Sequence, residues 1–262
     1  MARKNLKNKP LVEAILEIRW KLQEKSPGVF VDPNYKLVIG RLYDRLNADY
    51  PYPVELPTSN IPADISAYVV QQQFRKTENE WPLIQIGPGI ITLNDTKSYI
   101  WEDFEERARK MVDELFDAYP TEGNNLEINS LLLRYIDAID FDFDHNDIYQ
   151  FIHKEMGTTI NLNNKLFDEE TIDRKNHNFD FRFVYPTKVP KGMLGLRFAR
   201  GLKTNDKGEN KDALIWETRV QSEVDVIFDN KEEIVDWIVK AHEITDSCFF
   251  NLISDDLLRR FE

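Results

Sequence analysis

The residues best suited to chemistry gather in a few short stretches. Asp140, Asp142 and Asp144 alternate with apolar neighbours across residues 139–147, and Asn146 follows them. Oxygen ligands at alternate positions open a calcium loop, in which they converge on a hard cation. The match ends there, because His145 stands where that loop needs glycine and Phe151 where it needs a bidentate glutamate. Strand alternation puts the three carboxylates on one face, opposite Ile139, Phe141 and Phe143, and a solvated acidic face is the favoured reading. No metal site is therefore expected. The residues that would form one are Asp140, Asp142 and Asp144, with Asp137 or His145 beside them.

Other side chains carry partial signals. His242-Glu243 opens the helical H-E-x-x-H zinc signature, but Asp246 occupies the second histidine position. A helix-face histidine at the core edge is the simpler reading. Gly87-Pro88-Gly89 lacks both the Lys-Ser/Thr ending of a phosphate loop and the G-x-G-x-x-G spacing, so it reads as a bend or tight turn. No G-x-S-x-G nucleophile elbow occurs. Arg75, Arg134, Tyr135, Arg182 and Arg197, with Trp20 and Phe74, could line a pocket for an anionic ligand, because guanidinium forks match carboxylate and phosphate oxygens. Glu13, Glu17 and Arg19 share one face of a strand. With Arg134 and Arg182 they make either a groove or, the favoured reading, ordinary cross-strand ion pairs. Asp140, Asp142 and Glu217 would serve a metal-dependent nuclease only if they converged.

The elements that must position these residues follow from periodicity. Val12, Ala14, Leu16, Ile18 and Trp20 alternate with Glu13, Glu17 and Arg19, which is a half-buried strand. Asp32-Pro33 signals a helix start, and Tyr35, Val38, Leu42, Leu46 and Tyr50 form its stripe. Residues 51–66 hold four prolines and read as a loop. Strands are expected over 68–75 and on both sides of the Gly-Pro-Gly. A helix then runs from Trp101 to Tyr119 on the stripe Trp101, Phe104, Ala108, Val112, Leu115 and Tyr119, with acids in its first turns. Thr121-Glu122-Gly123-Asn124-Asn125 is a turn cluster. Beyond it come a strand over 128–143, a helix capped by Asp147, strands over 179–185, 193–198 and 213–224, and a helix capped by Asn230 over 231–252. Residues 254–262 form a short turn or tail.

The order strand, helix, strands, long helix occurs twice. Residues 1–121 read as a β-α-β-β-α half and residues 126–262 as a β-α-β-β-β-α half. The fold class is α+β, with antiparallel sheet and long helices packed on one face. It is arranged either as two similar halves related by a pseudo-twofold or as one continuous domain.

Composition bounds the function. The chain has 262 residues, 42% of them hydrophobic and 31% charged, and its net charge is 34 − 46 = −12. That charge opposes non-specific attraction to nucleic acid and to anionic membranes, without excluding a local basic patch. Cys248 is the one cysteine, so no intrachain disulfide forms, and its apolar setting reads as a small core residue. No apolar run reaches membrane-spanning length, and no signal-peptide core follows the basic start. A cytoplasmic location is expected, and no cofactor is implied.

Four segments carry a family resemblance: KPLVEAILEIRW (9–20), QIGPGIITLND (85–95), YIWEDF (99–104) and LLLRYIDAI (131–139). Together they resemble a sporadically distributed prokaryotic family of roughly this length, whose biochemical role is unassigned. The resemblance implies a prokaryotic cytoplasmic protein from mobile or phage-defence-like loci. It brings no catalytic residues. The resulting expectation is an interaction protein with a protein partner, its acidic surface suited to a basic one. The alternative is a binding protein or enzyme with the arginine-lined anion pocket, and the nuclease comes third.

Overall fold

The computed structural model describes residues 6–96, 98–120, 126–168, 171–172, 177–204, 208–224 and 226–262. The turn cluster at 121–125 and parts of the basic start and of the polar stretches at 157–177 and 204–211 lie outside the described residues.

The chain folds around β1 (Leu11–Trp20) and β8 (Ile128–Asp140), which pair antiparallel at the centre of a nine-stranded sheet. Outward from β1 come β7 (Ile90–Asp95), β6 (Leu83–Gly87), β5 (Gln72–Arg75) and β4 (Tyr52–Glu55). Outward from β8 come β11 (Asn210–Ser222), β10 (Lys191–Thr204) and β9 (Asp180–Lys188). A separate hairpin joins β2 (Gln23–Ser26) to β3 (Val29–Val31). Strands from both sides of residues 121–125 thus enter one antiparallel sheet. A pseudo-twofold is not shown: among the described residues β4 has no counterpart beyond β9, and β7 has 6 residues where β11 has 13.

Alternation assigns the two faces. Leu93, Leu16, Leu133 and Val220 lie side by side across four strands, and each is fully buried. Over this row pack α1 (Tyr35–Leu46), α2 (Trp101–Ala118) and α4 (Lys231–Leu252), whose apolar stripes join the same core. A second cluster gathers α3 (Ile148–Met156) and α5 (Asp255–Leu258) with Phe198, Leu214 and Trp216 on the same face. Only α2 and α4 are long, with 18 and 22 residues; the other helices have 12, 9 and 4. The helical layer is therefore mostly short helices, against the sequence expectation.

Local departures have local causes. Asp32 does not cap α1: its Oδ1 accepts from the Asn34 N–H at 3.0 Å, and the helix begins after Asn34. The strand expected over 68–75 is confined to 72–75, because Tyr68 takes a left-handed φ of 59°. Residues 51–66 contain β4 and two short 3₁₀ turns. The strand from 128 stops at Asp140, so the alternating aspartates do not share a strand face. Asp142 closes the turn after it, Oδ1 accepting from the Asp144 and His145 N–H groups at 2.9 and 3.2 Å. Gly87-Pro88-Gly89 makes the tight hairpin turn between β6 and β7, with Gly89 at φ +80°. Asp147 and Asn230 cap α3 and α4 as expected.

Candidate functional site

Along β8 the residues facing the helices are Leu131, Leu133, Tyr135 and Asp137. The last of these puts a carboxyl on an apolar face. Asp137 lies between Leu11 of β1 and Trp216 of β11. Here the register of β1 against β8 shifts between Leu11 and Glu13, leaving Val12 exposed. Above this end of the sheet is a cavity of about 350 Å³. Its walls come from the segment leading into β1 (Leu6 to Leu11), the start of α2 (Tyr99 to Glu102), β8, Thr218 of β11 and the face of α4 from His242 to Phe250. On α4 the lining residues are His242, Thr245, Asp246, Phe249 and Phe250, the three- and four-residue steps of one helical stripe.

A chain of polar groups crosses the cavity wall. The Tyr99 and Tyr135 hydroxyls are 2.7 Å apart, and the Tyr135 hydroxyl is 3.0 Å from His242 Nδ1. Trp101 stacks on the His242 imidazole at 3.6 Å with the rings 9° from parallel, which fixes the ring plane. Thr245 donates back into its own helix, to the Ala241 and His242 carbonyls at 3.2 and 3.0 Å. Lys9 Nζ donates to the Tyr99 carbonyl at 2.6 Å, tying the N-terminal segment to the start of α2. Each link of the hydroxyl–hydroxyl–imidazole chain can pass a proton by exchanging donor and acceptor.

Asp137 differs from the other buried acids. Asp95 accepts from the Thr96 N–H and the Ser98 hydroxyl at 2.7 and 2.9 Å through Oδ1, while its Oδ2 is buried without a partner. Glu155 accepts from the Ser254 hydroxyl and pairs with Lys154 at 3.1 Å. Glu217 pairs with Arg134 at 2.9 Å. The Asp137 side chain is 3% exposed, and among the described residues its carboxyl has no hydrogen-bond or ion-pair partner. Burial alone pushes its pKa up to about 8, so near neutrality it holds its proton and can donate.

The sequence-expected ligand residues divide between the two faces of the sheet. Tyr135 lines the cavity. Arg134, its neighbour, points the opposite way and meets Arg182, Arg197, Arg219 and Glu217 in a trough of about 170 Å³ on the other face. There the guanidinium groups are largely spoken for. Arg182 and Arg197 both fork onto Asp180, at 3.0 and 2.9 Å, and hold its carboxyl well below the usual range. Arg134 takes Glu217. Arg134–Glu217 and Arg197–Asp180 cross strands, whereas Arg182 meets Asp180 within β9. Glu13 and Glu17 take neither Arg134 nor Arg182, Glu17 pairing with Arg19 on its own strand at 2.7 Å and Glu13 accepting from the Asn94 amide at 2.9 Å. Arg75 stands apart on β5, its Nε donating to Gln73 at 3.1 Å. Trp20 and Phe74 are core residues.

The acidic candidates do not converge either. Asp140 faces Lys203 and Lys211 at 3.9 and 4.0 Å, Asp142 serves its own turn, and Glu217 serves Arg134. Among the described residues, no group of three or more His, Cys, Asp or Glu side chains could hold a metal ion. Cys248 is half-buried, and burial raises its thiol pKa.

The sequence reading missed Tyr99, Trp101 and Thr218 and did not place Asp137 or His242 in a cavity. One signal was available: Asp137 falls on the apolar parity of its strand, in register with Leu131, Leu133 and Tyr135. Three of the four segments behind the family resemblance contribute to this cavity, through Lys9 to Leu11, Tyr99 to Glu102, and Tyr135 with Asp137. No protein-family model matches the chain, and no curated protein matches it. No described helix is long and apolar enough to cross a membrane.

Proposed function

We propose that the protein binds a small molecule in the cavity between the end of β8, the start of α2 and the second half of α4. The observation that carries this reading is the Asp137 carboxyl. Burying a polar group with no partner costs about 1–3 kcal/mol, and more for a charged one. A position needed only for packing would hold an apolar residue, as Leu131 and Leu133 do three and two steps earlier on the same face. A ligand that hydrogen-bonds the carboxyl offsets the cost. The setting fits such a role, with apolar and aromatic walls and a few converging polar groups. The test is a fragment screen on the full chain read by amide chemical shifts. Binding fragments are expected to move the amides of 99–102, 135–137 and 242–250. Fragments that bind without moving these amides, or a screen with no binders, would overturn the reading.

A protein-interaction role is the second reading, supported by the outer edge of the sheet. Among the described residues no strand pairs with the far side of β9. Around the β9–β10 hairpin Val184, Tyr185, Val189 and Met193 are exposed, at 53, 52, 66 and 42%. An open edge strand with apolar neighbours offers backbone hydrogen bonds and contact area to a partner. The test is co-expression with neighbouring genes followed by native mass spectrometry. A retained protein lost on Val184→Lys, with an unchanged melting temperature, is the expected result. A bare monomer from both forms would remove this reading.

A further inference from the structure

The chemistry around the cavity narrows what it can take. Among the described lining residues the carboxyl groups are Asp137, the exposed Glu102 and the half-buried Asp246, the last two already engaged in interactions of their own. The one cationic side chain among them is Lys9, whose ammonium donates to the Tyr99 carbonyl, and none of these described lining residues is an arginine. His242 is the remaining titratable group besides the tyrosines, and its Nδ1 is engaged by Tyr135. The walls include the rings of Tyr99, Trp101, Tyr135, Phe249 and Phe250, whose π faces attract cations.

We infer that the ligand is a small organic cation, with a flat apolar body and a protonated amine, amidine or ring nitrogen that Asp137 receives. This rests on the cavity being a binding site, as proposed above. An anion could accept from protonated Asp137, but it would face the π surfaces of the aromatic walls, which disfavour negative charge, with Lys9 at the mouth already donating to the Tyr99 carbonyl. A neutral carbonyl compound could accept from protonated Asp137, but it would forgo the aromatic walls' attraction for charge. A cation's N–H donors instead meet an acceptor that folding left without one, and in about 350 Å³ there is room for one or two fused rings.

Binding is coupled to a proton. With the empty-site pKa near 8, ionising Asp137 at pH 7 costs about tenfold in affinity, while a charge-assisted contact returns about ten- to a hundredfold. The cation therefore displaces the Asp137 proton. Its affinity rises about two- to fivefold from pH 6 to pH 7 and levels off above about pH 8.

The experiment uses matched probes on the full chain: benzamidinium, benzamide and benzoate, and tryptammonium, tryptophol and indole-3-acetate. Each is titrated at pH 6, 7 and 8.5 against the wild type and Asp137→Asn, with amide shifts reporting the site. A cation of either series is expected to bind tightest and to gain affinity with pH. In Asp137→Asn it is expected to lose about tenfold or more at pH 8.5, where ionising the carboxyl costs little, while its neutral partner keeps its affinity. Neutral or anionic probes that shift the cavity amides at equal or tighter affinity would overturn the inference and leave the cavity as a binding site. So would a cation indifferent to Asp137→Asn. No shift of these amides by any probe would overturn both.

Discussion

Asp137 couples the site to stability as well as to binding. Its folded pKa, about 8, lies above the ordinary carboxylate value near 4, so the folded state keeps a proton that the unfolded chain has released. Both states are protonated below about pH 4, and there the residue costs nothing electrostatic. As pH rises from about 4 to about 8 the folded state keeps the proton that the unfolded chain releases, so stability falls over that range, and above about 8 the loss from this group is complete. Asp137→Asn removes the ionisable group at nearly constant shape. It is expected to raise stability at pH 8 by about 2 kcal/mol or more and to flatten the profile, as measured by urea denaturation at several pH values. An unchanged profile would mean that the carboxyl is hydrated. Gly87 gives a second residue-scale expectation. A Cβ there would lie 1.9 Å from the Val69 carbonyl oxygen, which is backbone and cannot swing aside. Gly87→Ala is expected to cost about 3 kcal/mol in denaturant unfolding, through displacement of the 68–71 segment that lies against the hairpin turn.

At the scale of elements, the cavity depends on α4 being held as one body. Asn230 caps it, Oδ1 accepting from the Glu233 N–H at 2.8 Å. Ile234, Trp237, Ile238 and Ala241 anchor its first half in the main core. The second half carries His242 to Phe250 over the end of β8. Asn230→Ala is expected to cost about 1 kcal/mol of stability, measured by thermal unfolding, and to leave probe affinity in the cavity unchanged, because the cap lies at the other end of the helix. Tyr135 works differently, since it bridges elements. Its hydroxyl joins the start of α2 to α4 through Tyr99 and His242. Tyr135→Phe is expected to cost about 1–2 kcal/mol, measured by urea denaturation, by leaving the part-buried Tyr99 hydroxyl and the buried His242 ring each short of a bond.

At the scale of the whole molecule, β1 and β8 lie side by side at the centre, so neither half closes its core alone. The row Leu93, Leu16, Leu133, Val220 draws on strands from both. Leu16→Ala is expected to cost about 2–5 kcal/mol. The loss should appear in one transition, with far-ultraviolet circular dichroism and tryptophan fluorescence melting together. Two separated transitions would show that the halves fold apart despite the shared sheet.

The kinds and positions of most elements were legible in the sequence, because a two-residue or 3.6-residue period is a local property. The stripe Trp101, Phe104, Ala108, Val112 and Leu115 and the alternation from Ala14 to Trp20 both placed their buried faces correctly. Errors of extent, such as the strand expected from 68 and the one expected through 143, came from turns whose signals were a left-handed Tyr68 and an aspartate bonding to its own turn. The arginine set divides between the two faces of the sheet, Arg134, Arg182 and Arg197 meeting in one trough while Tyr135 lines the cavity on the other side, and it does so for a sharper reason. Arg134 and Tyr135 were taken together although adjacent residues of a strand face opposite ways, and the same rule would have singled out Asp137. By itself, then, the sequence determined most of the strands and helices and the buried face of each, though not β4 or the β2–β3 hairpin. Only the tertiary structure decided that β1 pairs with β8, and that Leu11, Trp101, Asp137 and His242 meet around one space. Local periodicity says which way a side chain points. Which distant segment it finds there depends on strand order and helix docking, whose contacts span more than a hundred residues between Tyr135 and His242 and leave no trace in the spacing of either.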